Sequence, residues 1–181
     1  MIVPRCSRRT RSRRSAYGGS PRSRQPPSSP CFQNGCEKLA RFALATGLRQ
    51  ANVLGLEWTQ VDLVRRVAWI HPDQAKARRA IGVPLNEDAV GVILRQRGKH
   101  LRRVFVDAAG KPMDRWPSEA RKAWEAVCAQ LGHEDFRWHD LRHTWASWHV
   151  QRGTPLYVLK ELGGWRRWRW CRSTRTSQPN T

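Results

Sequence analysis

Acidic residues are missing from both ends of this chain. Residues 1–36 carry eight arginines and no Asp or Glu, and residues 166–181 carry five more arginines, again with no acid. Paired cysteines are missing too. The five cysteines show no repeated short spacing, which argues against a zinc-binding module or a disulfide framework. Four of them (Cys6, Cys31, Cys36, Cys171) fall in the acid-free ends, and Cys128, in patterned sequence, reads as a buried free thiol. No apolar run approaches the length of a membrane span, and the start lacks the apolar segment of a secretory signal. An arginine- and serine-rich start could mimic an organellar address, but Pro21, Pro26, Pro27 and Pro30 oppose the amphipathic helix that one needs. Cytoplasm is the expected location, with no membrane contact. No internal repeat is visible.

The formal net charge of +20 suggests a nucleic-acid partner, but its distribution moderates that signal. With the ends set aside, residues 37–165 hold 21 basic and 14 acidic residues, a net of +7. That balance suits a face for double-stranded DNA. At 181 residues the chain has room for one domain with a real core.

Composition divides the chain in three. Residues 1–36 (Arg, Ser, Pro and Gly with few aliphatics) cannot bury a core and are expected to be disordered. From Glu37 the texture is that of a folded protein. Helices are expected over Glu37–Ala45, stopped by Gly47, and over Arg49–Leu56. Val67–Ile70 and Ile81–Leu85 read as strands flanking a polar turn, hence a hairpin. Asn86 caps a helix to about Gln96, and Val104–Val106 reads as a further short strand. Three more helices are expected: Ser118–Leu131, His139–Gln151, and one opened by Thr154 as cap with Pro155 at its first position. Residues 166–181 have no helical apolar period and read as a second disordered basic segment.

Two arginines and a histidine sit inside apolar helical sequence, at Arg49, His139 and Arg142. Buried cations are costly unless an anion meets them, and guanidinium groups grip phosphate oxygens in a fork. His139 precedes Arg142 by three residues, so both project from one helix face. His143, next to Arg142, is expected to face elsewhere and to be structural. Attack on a phosphodiester gathers negative charge on the non-bridging oxygens, which preorganised cations stabilise.

Several of these stretches together carry a family resemblance. T-G-L-R-Q-A-N-V-L-G-L from Thr46, the lysine hairpin ending in G-V-P-L, H-D-L-R-H-T-W-A-S-W from His139, and E-L-G-G-W ending at Trp165 follow one another in order. In this the chain resembles the catalytic domain of the tyrosine recombinases, the phage-integrase family. The resemblance implies a mostly α fold with a small antiparallel β-sheet. It also implies DNA cleavage through a phosphotyrosine link, no metal or nucleotide cofactor, and a tetrameric synapse on DNA, which is not expected of this shortened chain. Arg49 and Arg142 match the family's phosphate-clamping arginines, and His139 its position for proton transfer and phosphate contact. Lys76, eight residues before Pro84, matches the lysine that protonates the leaving 5′-oxygen, with Arg78 and Arg79 as phosphate contacts. Trp165 matches a position whose ring nitrogen donates to the phosphate. A solvated basic turn is the other reading of Lys76, and a core tryptophan the other reading of Trp165.

The family's tyrosine should stand at position 174, nine residues after Trp165, where this chain has Thr174. Its tyrosines are Tyr17, in the acid-free start, and Tyr157, too close to Arg142 and read as packing. Threonine lacks the phenol's acidity and reach, so no nucleophile is expected. The Arg- and Trp-rich residues 166–181 are what a GC-rich reading frame gives when shifted. With suitable codons, restoring one G after the Trp165 codon yields A-A-L-E-M-V-Q-K-Y-A-H-L-A-T-E-H, an amphipathic peptide with tyrosine at position 174. Residues 1–36 fit a second such stretch, and a natural pseudoenzyme with basic tails is the competing account. The expectation is therefore an integrase-like domain over 37–165 that is catalytically defective and at most DNA-binding. The alternative is a DNA-binding module that never catalysed, using the helix-turn-like segment 139–164 and the basic ends.

Overall fold

Leu39, Phe42, Ala43 and Thr46 recur at three- and four-residue spacing, and they form the buried face of helix α1, Cys36–Thr46. The computed structural model describes residues 35–75 and 78–165. The helix begins one residue before the expected start. Cys36 is fully buried, with its thiol against the Ala120 carbonyl. Gly47 ends α1 in a left-handed conformation (φ 65°), its amide bonded to the Ala43 carbonyl at 2.8 Å.

Helix α2 (Gln50–Leu54) follows, and a 3₁₀ turn over Trp58–Gln60 leads into the sheet. Strands β1 (Val61–Asp62), β2 (Val67–Ile70) and β3 (Ile81–Pro84) lie antiparallel in that order. Ala68 pairs with Val83 and Ile70 with Ile81, so all four point to the core, as alternation demands. Trp69, on the other face, is 52 % exposed. Helices α3 (Glu87–Leu94), α4 (Ser118–Gln130), α5 (Trp138–Gln151) and α6 (Leu156–Gly163) complete the described residues. Six helices and a small antiparallel sheet thus match the expected fold class. Asn86 caps α3 as expected, its side-chain oxygen accepting from the Ala89 amide at 2.9 Å.

Three expectations are corrected. Val104–Val106 is not a strand. It is buried, with isolated bridges at Glu57–Arg103 and Val106–Pro112, and Phe105 packs on Phe42 with ring centroids 5.1 Å apart. Its apolar residues serve the core as an irregular segment without a continuous strand partner. Thr154 does not cap α6. Pro155 holds that position, and the threonine hydroxyl lies 3.1 Å from His149 Nδ1. Tyr157 is not a packing residue, being 66 % exposed, because α6 buries Leu159 on a different side.

The packing of α1 decides where the chemistry falls. It lies against α3 and α5, while α6 lies against α5 and β3. The C-terminal ends of α1 and α6 therefore meet at the first turns of α5. A Cβ on Gly47 would come within 2.3 Å of the Trp145 ring, on top of the positive φ. Gly47→Ala is expected to cost about 2–4 kcal/mol, through overpacking and backbone strain. Gly153 has φ 78° with nothing within 4 Å, so Gly153→Ala should cost about 1 kcal/mol from the backbone. Thermal midpoints of the two variants test this; equal shifts would mean that Trp145 does not press on Gly47.

Candidate functional site

Arg142 sits on the second turn of α5 and is 4 % exposed. Its Nη1 donates to the Gly47 carbonyl and its Nη2 to the Gly163 carbonyl. Those two carbonyls terminate α1 and α6, where the helix dipole is negative and favours a cation. Trp165 covers the guanidinium, with Arg142 Cζ 4.4 Å from its ring centroid. The ring also leans on Trp145, centroids 6.2 Å apart. Burial pulls the pKa of Arg142 down to about 9, and the charge of Arg49 pulls it the same way.

Arg49 enters from the N-terminal cap of α2. Its Nη1 is buried and makes no hydrogen bond, and burial lowers its pKa. No ion pair among the described residues includes Arg49 or Arg142. Two like charges thus stand close enough to repel each other, and neither has an ion-pair partner among the described residues. An anion bound there would satisfy the orphan donor and relieve the repulsion together.

His139 is exposed at the start of α5. Its ring meets that of His143 edge-on, centroids 4.8 Å apart and planes at 86°. This corrects the expected orientation of His143. At three- and four-residue spacing it shares a face with His139 and lies close enough to Arg142 to feel its charge. Burial first, then the charges of His139 and Arg142, lower the His143 pKa, and Asp140 opposes them.

The structure brings Arg49, Arg142 and Trp165 together, with His139 beside them through His143. Lys76 lies outside the described residues, as do Tyr17 and Thr174. The chain leading to Lys76 is anchored: Ala75 is buried, its amide donates to the His71 carbonyl at 3.0 Å, and Gln74 accepts from Gln60 at 2.7 Å. Arg78 and Arg79 follow as exposed residues, Arg78 with φ 52°. Sequence reasoning missed Gly47 and Gly163, whose carbonyls fix Arg142, and the Trp145 ring that presses on Gly47. The only signal for them was the glycine beside each motif, in T-G-L-R and in G-G-W.

Fold and site together define a mostly helical domain in which Arg49 and Arg142 come together where α1 and α6 end. The family model described as the phage integrase family matches residues 33–173, and the chain belongs to that family, the tyrosine recombinases. It is 48 % identical over 142 residues to the integrase of Salmonella phage P22, covering 74 % of this chain and 37 % of that protein. A shufflon-specific DNA recombinase of Escherichia coli is 32 % identical over 102 residues, 56 % of this chain and 24 % of its own length. The chain thus spans well under half the length of these curated relatives. Among solved structures, the Tn1549 transposon integrase in complex with a circular intermediate DNA superposes with a TM-score of 0.61 at 18 % identity. That match covers 72 % of this chain and 50 % of the other. The XerA recombinase gives 0.57 at 18 % identity, over 80 % and 58 %. Among the described residues no helix is long and apolar enough to cross a membrane.

Proposed function

We propose that residues 37–165 are a DNA-binding catalytic-type domain whose Arg49 and Arg142 hold one backbone phosphate of duplex DNA. His139 and Trp165 stand at its edges, and Lys76, Arg78 and Arg79, by their positions in the sequence, are assigned as the leaving-group donor and two further phosphate contacts. The strand-cleaving step is lost, because position 174 carries threonine where the family's nucleophile would stand. The observation that carries this reading is the buried, unpartnered Nη1 of Arg49 beside the buried charge of Arg142. The P22 integrase and the Tn1549 and Xer proteins support it by their family and fold.

Arg49 and Arg142 contact backbone and not bases in this reading, so binding should fall steeply with salt and show little sequence preference. The arginine-rich ends add affinity of the same kind. A charge-assisted hydrogen bond contributes about 1.5–3 kcal/mol, so Arg49→Met should weaken duplex binding by roughly 10- to 150-fold at low salt. Fluorescence anisotropy with a labelled duplex measures it. An Arg49→Met chain that binds like the unmodified one would remove the cradle from the function.

A further inference from the structure

Two adjoining depressions, of about 210 and 280 Å³, run along α1 and α3 and share Arg41, Val92 and Arg95. Lys38 and Lys99 line the first, and Arg152, His149, Trp145 and Trp148 the second. Their acids are Glu37, paired with Arg41 at 2.7 Å, and Asp88 at the far wall. Five Lys and Arg side chains thus face two carboxylates. Trp145, which packs on Gly47 and Trp165, is the one residue this trough shares with the phosphate cradle.

A solvated basic face would let its cations spread into water. Here Lys38 turns inward, donating to the Val106 carbonyl at 2.8 Å. Burial lowers its pKa, and so does the nearby charge of Lys99, against a smaller opposing effect of Asp107. Arg95 is drawn back on the Gly91 carbonyl at 3.1 Å and Lys99 on Gln96 at 3.2 Å, so the cations are gathered over the α1–α3 seam. At the other end, Arg152 stands close enough to depress His149, after burial. Trp145 is buried, but Trp148 is half-buried at the trough wall, so cations spaced along the trough beside one partly open ring suit a polynucleotide, which repeats phosphate charge along its length and carries bases that stack.

We propose that this trough is a second nucleic-acid contact, taking a phosphodiester backbone along α1 and α3 independently of the Arg49–Arg142 cradle. Arg95, Lys99 and Arg152 are exposed and form no ion pair among the described residues, so changing them to glutamine leaves the core intact.

The test uses the full chain and the triple variant Arg95→Gln/Lys99→Gln/Arg152→Gln, with duplex and single-stranded DNA probes over a salt titration. Each lost phosphate contact lowers the slope of log affinity against log salt by about 0.7–0.9. A slope reduced by about 2 or more with either probe, at an unchanged thermal midpoint, is the expected result. The same reduction should persist in the Arg49→Met background, which separates the trough from the cradle. An unchanged slope overturns the proposal. So does poly-glutamate displacing DNA equally well from the unmodified chain and from the variant at matched charge, since the trough would then give DNA no advantage.

Discussion

Arg49→Met should raise the thermal midpoint of the protein, and Arg142→Met should lower it, although the proposed phosphate would engage both arginines. The opposite signs come from what each guanidinium touches. Arg49 holds a buried Nη1 without a hydrogen bond and adds repulsion to Arg142. An unsatisfied buried donor costs about 1–3 kcal/mol, so an apolar side chain there should stabilise by about 1 kcal/mol. Arg142 instead bonds the last carbonyls of two helices and lies under Trp165. Its removal leaves two buried acceptors unpaired, each at a cost of about 1–3 kcal/mol, and loses the ring contact.

Relief of the buried charge offsets part of that loss, leaving roughly 2 kcal/mol of destabilisation. At about 3–4 °C per kcal/mol for a domain of this size, the midpoints should separate by roughly 10 °C. Both variants should show less of the stabilisation that added duplex DNA gives the unmodified chain. Differential scanning calorimetry, with and without duplex, distinguishes the cases. If Arg49→Met is destabilising, Nη1 has a partner in solution and the cradle is not poised for an anion.

This asymmetry also marks how far the sequence could be read. The pairing of Arg49 with Arg142 was legible because each sits in a motif with a chemical rationale. So were the hairpin from Val67 to Leu85 and the helix ends at Gly47 and Asn86, where a single residue type decides the backbone. What was not legible depended on contacts distant in sequence. Val104–Val106 has strand composition, but whether it pairs depends on what lies beside it, and here that is α1. His143 was judged by its adjacency to Arg142, yet the three- and four-residue spacing on α5 turns it toward His139. The role of Gly163 is a carbonyl role, invisible in a side-chain pattern. It arises because α6 ends against the guanidinium of a residue 21 positions earlier.

Challenged with a nicked or suicide DNA substrate, the unmodified chain is expected to form no covalent adduct. A phenol ionises near pH 10 and an aliphatic hydroxyl far higher, so threonine at position 174 removes the nucleophile and does not merely weaken it. The cradle would still bind the phosphate, so the loss should appear in chemistry and not in affinity. Thr174→Tyr by itself should not rescue cleavage. Residues 166–181 have no apolar helical period, and a nucleophile must be delivered to within about 3–3.5 Å of the phosphorus. Replacing them with A-A-L-E-M-V-Q-K-Y-A-H-L-A-T-E-H and a native-like continuation supplies an amphipathic helix with tyrosine at position 174. A DNA-linked band on a denaturing gel from that chimera, and none from the single substitution, is the expected outcome. A band that also requires Arg49 and Arg142 would tie it to the cradle. A covalent band from the unmodified chain would overturn the reading of position 174 and direct attention to Tyr157, exposed on α6.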